Sequence, residues 1–152
     1  MAEALKEARK AAKKGEVPVG ALIVHSSGVI ARGHNRREAA CDPTGHAEMM
    51  AIRRAARALG SWRLTGCTLY VTLEPCLMCM GALLQARVGR LVFASFDPKA
   101  GACGSLYDLS NDSRLNHRVR VASGVMGAEA TAALKSFFSE LRAAKRSLKE
   151  RG

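Results

Sequence analysis

The chain has 152 residues, 48% of them apolar and 24% charged, the size and balance of one folded domain with a sizeable core. That excludes a disordered or fibrous chain, and no repeat of the length used by solenoids is present. Twenty-four Lys and Arg against thirteen Asp and Glu give a net charge of +11, which points to a polyanionic partner that binds by displacing phosphate counterions.

Residues 3–14 set Leu5, Ala8, Ala11 and Ala12 at helical spacing among basic residues, and Gly15 stops them, which predicts a short amphipathic helix. This segment has no apolar heart of a secretory signal, so the expected location is the cytoplasm. A branched, strand-length run at 19–25, turn residues Ser26-Ser27-Gly28 and a second run at 29–32 read as a hairpin. Residues 35–45 make a polar loop, and 46–59 make a helix ended by Gly60. Residues 68–73 read as a fully buried strand, Pro75 as the opener of a helix over 76–86, and 91–94 as another buried strand. The aperiodic stretch 96–116 has the length of a functional loop. A strand at 119–122 precedes a helix from 128 onward, with Leu134, Phe137, Phe138, Leu141 and Leu148 on one face and basic residues on the other. A hairpin followed by alternating strands and helices predicts a mixed α/β sheet covered on both faces. The longest apolar runs, near 69–73 and 77–84, fall well short of the roughly 20 residues of a membrane span, so no membrane partner is expected.

Five cysteines without an export signal do not form a disulfide scaffold, and the C-x-x-C among them suggests metal or redox chemistry. His46-Ala47-Glu48 and, with Pro75 27 positions beyond Glu48, Pro75-Cys76-Leu77-Met78-Cys79 match the H-x-E…P-C-x-x-C signature of zinc deaminases. Residues two apart on a helix point about 200° away from each other, so His46 and Glu48 share a target only beyond the helix mouth. Cys76 and Cys79, opening a second helix, meet the same condition. The two helix N-termini then converge on one ion, and their positive ends favour thiolate over thiol. His46, Cys76 and Cys79 make three protein ligands, the pattern of a catalytic zinc that keeps its fourth position for solvent. One Zn2+ per subunit is therefore expected. Glu48, kept off the metal, is assigned the proton shuttle from water to a ring nitrogen and then to the leaving amine. Cys41 keeps a second reading open, a closed Cys3His structural site in a non-catalytic RNA-binding module.

The runs Glu16-Val17-Pro18-Val19-Gly20-Ala21, then Asn35, residues 42–48, 69–76 and 97–105 resemble the bacterial tRNA-specific adenosine deaminases over about residues 6–141. Within the cytidine deaminase-like superfamily this combination is far narrower than the zinc motif alone, which cytosine, guanine and riboflavin-pathway deaminases share. The resemblance implies a three-layer α/β/α sandwich with a five-stranded mixed sheet. Residues 1–152 would be a single CMP/dCMP-type deaminase domain ending in a basic helix. It further implies a homodimer that hydrolyses adenosine to inosine at the wobble position (34) of a tRNA anticodon stem-loop, whose splayed bases suit an enzyme that must extrude its target. Matching positions imply that Asn35 contacts the target nucleoside, that the backbone of Val71, Leu73 and Glu74 lines the pocket, and that Asp97 and Lys99 lie in the anticodon-binding loop. Two positions depart from the family: Gly45 stands where Ala is usual, and Phe96 where the best-known relatives carry a basic residue. Phe96 is expected either to stack on an extruded base or to fill its own loop. The alternative enzyme is a guanine-type free-base deaminase, for which a charge of +11 has no use.

Overall fold

The computed structural model describes residues 1–26 and 28–151. In chain order the elements are α1 (Ala2–Lys13), β1 (Gly20–His25), β2 (Gly28–His34), α2 (Ala47–Leu59), β3 (Thr68–Leu73), α3 (Leu77–Gln85), β4 (Arg90–Ser95), β5 (Arg120–Ala122) and α4 (Gly127–Glu150). The strands form one mixed sheet in the order β2-β1-β3-β4-β5. Strand β1 runs antiparallel to both β2 and β3, while β3, β4 and β5 are parallel. The hairpin forms at the expected place, and its turn residue Ser27 lies outside the described residues.

Two glycines show how the layers are set. Ala21 pairs with Gly33 and Gly20 with His34, so Gly20 and Gly33 face opposite sides of the sheet. A Cβ on Gly20 would strike the α1 backbone at Ala4 and Ala8, and one on Gly33 would strike the α2 backbone at Ala47 and Ala51. Helices α1 and α2 therefore cover opposite faces, each so close that only glycine fits beneath. Helix α3 packs beside α2, and α4 joins α1 where Leu5, Ala94 and Ala130 meet. The result is three layers, helix, sheet, helix.

The main core lies between the sheet and α2 and α3, where Ile23, Leu69, Met80, Leu83, Leu91 and Phe93 are fully buried, each contributing about 1.5–3 kcal/mol on burial. The opposite layer is thin, because α1 turns Ala4, Ala8 and Ala11 toward the sheet and sits low on it.

Two expectations are corrected. Pro75 lies before the cap of α3, which is Cys76, and does not open the helix; its carbonyl accepts the Ala102 N–H at 2.9 Å. Strand β2 runs on to His34, because Gly33 makes room for α2. Helix α4 buries only Ala130, and its apolar stripe stays largely uncovered by this chain, with Leu148 72% exposed. Among the described residues no helix is long and apolar enough to cross a membrane.

Candidate active site

The starts of α2 and α3 meet at the end of the sheet where β3 finishes and β1 begins, a junction tied by the Gly20 N–H donating to Thr72 Oγ1 at 3.1 Å. His46 caps α2 and Cys76 caps α3, both in extended backbone (φ −78, ψ 152; φ −75, ψ 176), and neither side chain makes a capping hydrogen bond. A capping residue projects its side chain off the helix end instead of along its flank. The imidazole and the thiol are thus free to face each other. His46 Nδ1 lies 3.6 Å from Cys76 Sγ and 3.5 Å from Cys79 Sγ, and the three donor atoms lie within 4.8 Å of one another. A tetrahedral zinc, with Zn–S about 2.3 Å and Zn–N about 2.0–2.1 Å, sets nitrogen and sulfur about 3.6 Å apart. Donor types and spacing both fit that ion. Cys41 is not part of this group among the described residues. It is exposed, in a left-handed turn conformation (φ 49), with its thiol toward the Glu38 carbonyl at 3.7 Å. The closed Cys3His reading is therefore set aside.

Glu48, in the first turn of α2, is 4% exposed. Burial pushes its carboxyl up to about 7, against the pull of its own backbone N–H and of His46. The Cys79 thiol donating to Cys76, with His46 beside it, outweighs burial and holds Cys76 down to about 4; Cys79 is pushed up by that same bond and by its burial.

A pocket of about 200 Å³ opens onto His46, Glu48 and Cys76, with Asn35, Leu73 and Asp97 among its walls. That is below the roughly 300–1,000 Å³ of drug-sized sites, so it admits one small ring system and leaves the rest of a larger substrate outside. Asn35 is 7% exposed; its Nδ2 donates to the Val17 carbonyl at 3.5 Å, and its Oδ1 has no partner among the described residues. A buried acceptor left open is costly unless a ligand satisfies it.

Glu74 lines the pocket, but its buried carboxylate is spent on the 97–105 loop. It accepts the N–H groups of Asp97 (2.9 Å), Cys103 (3.0 Å) and Ser105 (3.0 Å), and the Ser105 hydroxyl. Burial raises its carboxyl, but these donors outweigh it and hold the group below its ordinary 4.5. Asp97 Oδ1 in turn takes the N–H groups of Lys99 (3.0 Å) and Ala100 (3.3 Å). Lys99 is an exposed loop residue, and Val71 lies in the core, not on the pocket wall. Phe96 is 54% exposed, its ring set edge-on to buried Phe93 at 5.0 Å between centroids; one side rests on the core and the other is open. Sequence reasoning passed over Arg37, Val17, Val19 and Ala100, which also line the pocket. The only trace of them was their position inside or beside the motif runs.

Residues 1–95 match the family described as the cytidine and deoxycytidylate deaminase zinc-binding region, a span that holds His46, Glu48, Cys76 and Cys79 together. The chain is 51% identical over 150 residues to a tRNA-specific adenosine deaminase of Bacillus subtilis, a match covering 99% of this chain and 93% of that protein. This chain belongs to the tRNA-specific adenosine deaminase family. Another member of the family, from Streptococcus pyogenes, is 44% identical over 146 residues, 96% of this chain and 92% of its own. A solved structure from work on A-to-I editing by tRNA:A34 deaminases at the wobble position of transfer RNA aligns with a TM-score of 0.83 at 45% identity, covering 86% of this chain and 95% of its own.

Proposed function

We propose that this protein is a cytoplasmic homodimer that hydrolyses adenosine to inosine at position 34 of a tRNA anticodon, each subunit one deaminase domain with one zinc. The observation that carries this reading is the three-donor triangle with buried Glu48 beside it, opening on a pocket sized for a single ring system.

His46, Cys76 and Cys79 hold the ion. When bound, zinc would supply the Lewis acidity that activates water at neutral pH. Glu48, poised by burial near neutrality, takes a proton from the attacking water, gives it to N1 of adenine, and delivers a proton to the departing amine, so that adenosine and water become inosine and ammonia. Asn35 offers its open Oδ1 to an N–H or O–H of the nucleoside. The charge of +11 favours RNA over a free base. Exposed Leu77, Leu106 and Tyr107 lie near the Cys76–Gly101 bridge, and we assign them to the surface covered by the second subunit.

Incubating the zinc-loaded protein with an A34 anticodon stem-loop and, separately, with free guanine tests the assignment. Inosine is expected from the RNA and no xanthine from guanine. Xanthine without inosine would overturn it.

A further inference from the structure

Residues 36–45 connect β2 to α2 and end one residue before the His46 cap. This loop bonds mainly to itself. The Arg36 N–H donates to the Gly45 carbonyl at 3.0 Å, the Ala40 N–H to the Arg36 carbonyl at 3.0 Å, and the Asp42 N–H to the Arg37 carbonyl at 3.1 Å. The Asp42 carboxylate takes both the N–H and the hydroxyl of Thr44. The two limbs touch, since a Cβ on Gly45 would lie 3.2 Å from the Arg37 Cα. A loop packed on itself in this way behaves as one body, and its placement depends on few ties.

The main tie is Glu16. Its carboxylate, 1% exposed, accepts the Ala39 N–H at 2.7 Å and the Glu38 N–H at 3.3 Å. Among the described residues no Lys, Arg or His pairs with it. A carboxylate withdrawn from water is costly unless donors surround it, and here those donors are loop amides. Glu16 directly precedes Val17, and the anchored Glu38 directly follows Arg37; both neighbours line the pocket. One buried carboxylate thus joins two of its walls.

Arg37 brings the only guanidinium to the pocket lining, and its side chain has no acceptor among the described residues. A pocket that admits one ring leaves sugar and phosphate at the mouth, where this cation stands. We infer that Glu16 is a positioning residue for RNA binding, pinning residues 38 and 39 so that Arg37 meets the backbone of the extruded nucleotide. The inference rests on the anticodon stem-loop being the substrate.

The test uses the zinc-loaded full chain. Glu16→Gln puts an NH2 donor where an amide N–H needs an acceptor, and KM for the stem-loop should rise about tenfold, the loss of one charge-assisted hydrogen bond, with kcat within about twofold. Arg37→Ala should raise KM by a similar factor. The double variant should be no worse than Arg37→Ala, because both changes remove one contact. Factors that multiply, or a fall in kcat at constant KM, would overturn the inference. Hydrogen exchange on the unmutated protein gives a reading that needs no variant to fold: the Glu38 and Ala39 amides should be protected, and exchange at the rate of free loop amides removes the anchor. Failure to form inosine while those amides are protected faults the substrate reading. Inosine formation with unprotected amides or multiplying variants faults the anchor.

Discussion

Glu48 has two requirements that pull against each other, since a carboxylate near neutrality must be dry, yet it must reach solvent's proton. Its place in the first turn of α2, beside the donor triangle and 4% exposed, meets both. Glu48→Gln should keep zinc and RNA affinity while turnover falls about 10²–10⁴-fold, the share carried by a positioned acid–base group; metal analysis and single-turnover inosine formation would check this, and near-normal turnover would remove Glu48 from the role. Glu74 makes a different claim. Its folded carboxyl sits below its ordinary 4.5, so the ionised form stabilises the fold above that value, and the contribution disappears as pH falls through the folded pKa. Glu74→Gln should therefore cost about 1–3 kcal/mol at pH 7, and the melting temperatures of the two proteins should converge in acid. A gap that persists unchanged at low pH would mean that charge is not what Glu74 contributes. These two residues also mark how far the site was legible in the sequence. The metal triangle was readable because zinc chemistry demands particular residue types at particular spacings. The work of Glu74 and Glu16 was not, because their partners are mostly backbone amides on distant loops, which leave no mark in residue type.

Most of the helices and strands were readable from periodicity, with errors where one residue serves two elements. Gly33 looks like a strand breaker but lies inside β2, paired with Ala21 beneath α2. Pro75 looks like a helix opener but serves the loop, its carbonyl held by Ala102. Both depend on what packs against the chain, and local sequence does not carry that information. Gly20→Ala and Gly33→Ala should each destabilise the fold by about 1–3 kcal/mol, the range for forcing a methyl into a filled space, because the added carbon meets helix backbone instead of a movable side-chain end. Thermal unfolding would check this. If either variant melts with the unmutated protein, its helix does not sit as close to the sheet as described.

Charge and shape together define how the molecule meets a polyanion. The apolar stripe of α4 was visible in the sequence, but periodicity specifies a face and not what covers it, and this chain leaves residues 138–151 exposed. Beyond Ser139 the helix and its last residues carry Arg142, Lys145, Arg146, Lys149 and Arg151 against Glu140 and Glu150. Nothing described there enters a core, so deleting residues 140–152 should leave zinc content and melting temperature unchanged. RNA affinity should respond differently. Each phosphate neutralised contributes a slope of about −0.7 to −0.9 in the logarithm of the binding constant against that of salt; removing an excess of three positive charges should make the slope shallower by about 2–3 if they all lie on the backbone. Titrating a labelled anticodon stem-loop between 50 and 200 mM salt, with intact and shortened chains, measures that difference. Parallel lines for the two proteins would move the phosphate contacts off α4 and onto the basic side of α1 and the loop that carries Arg37.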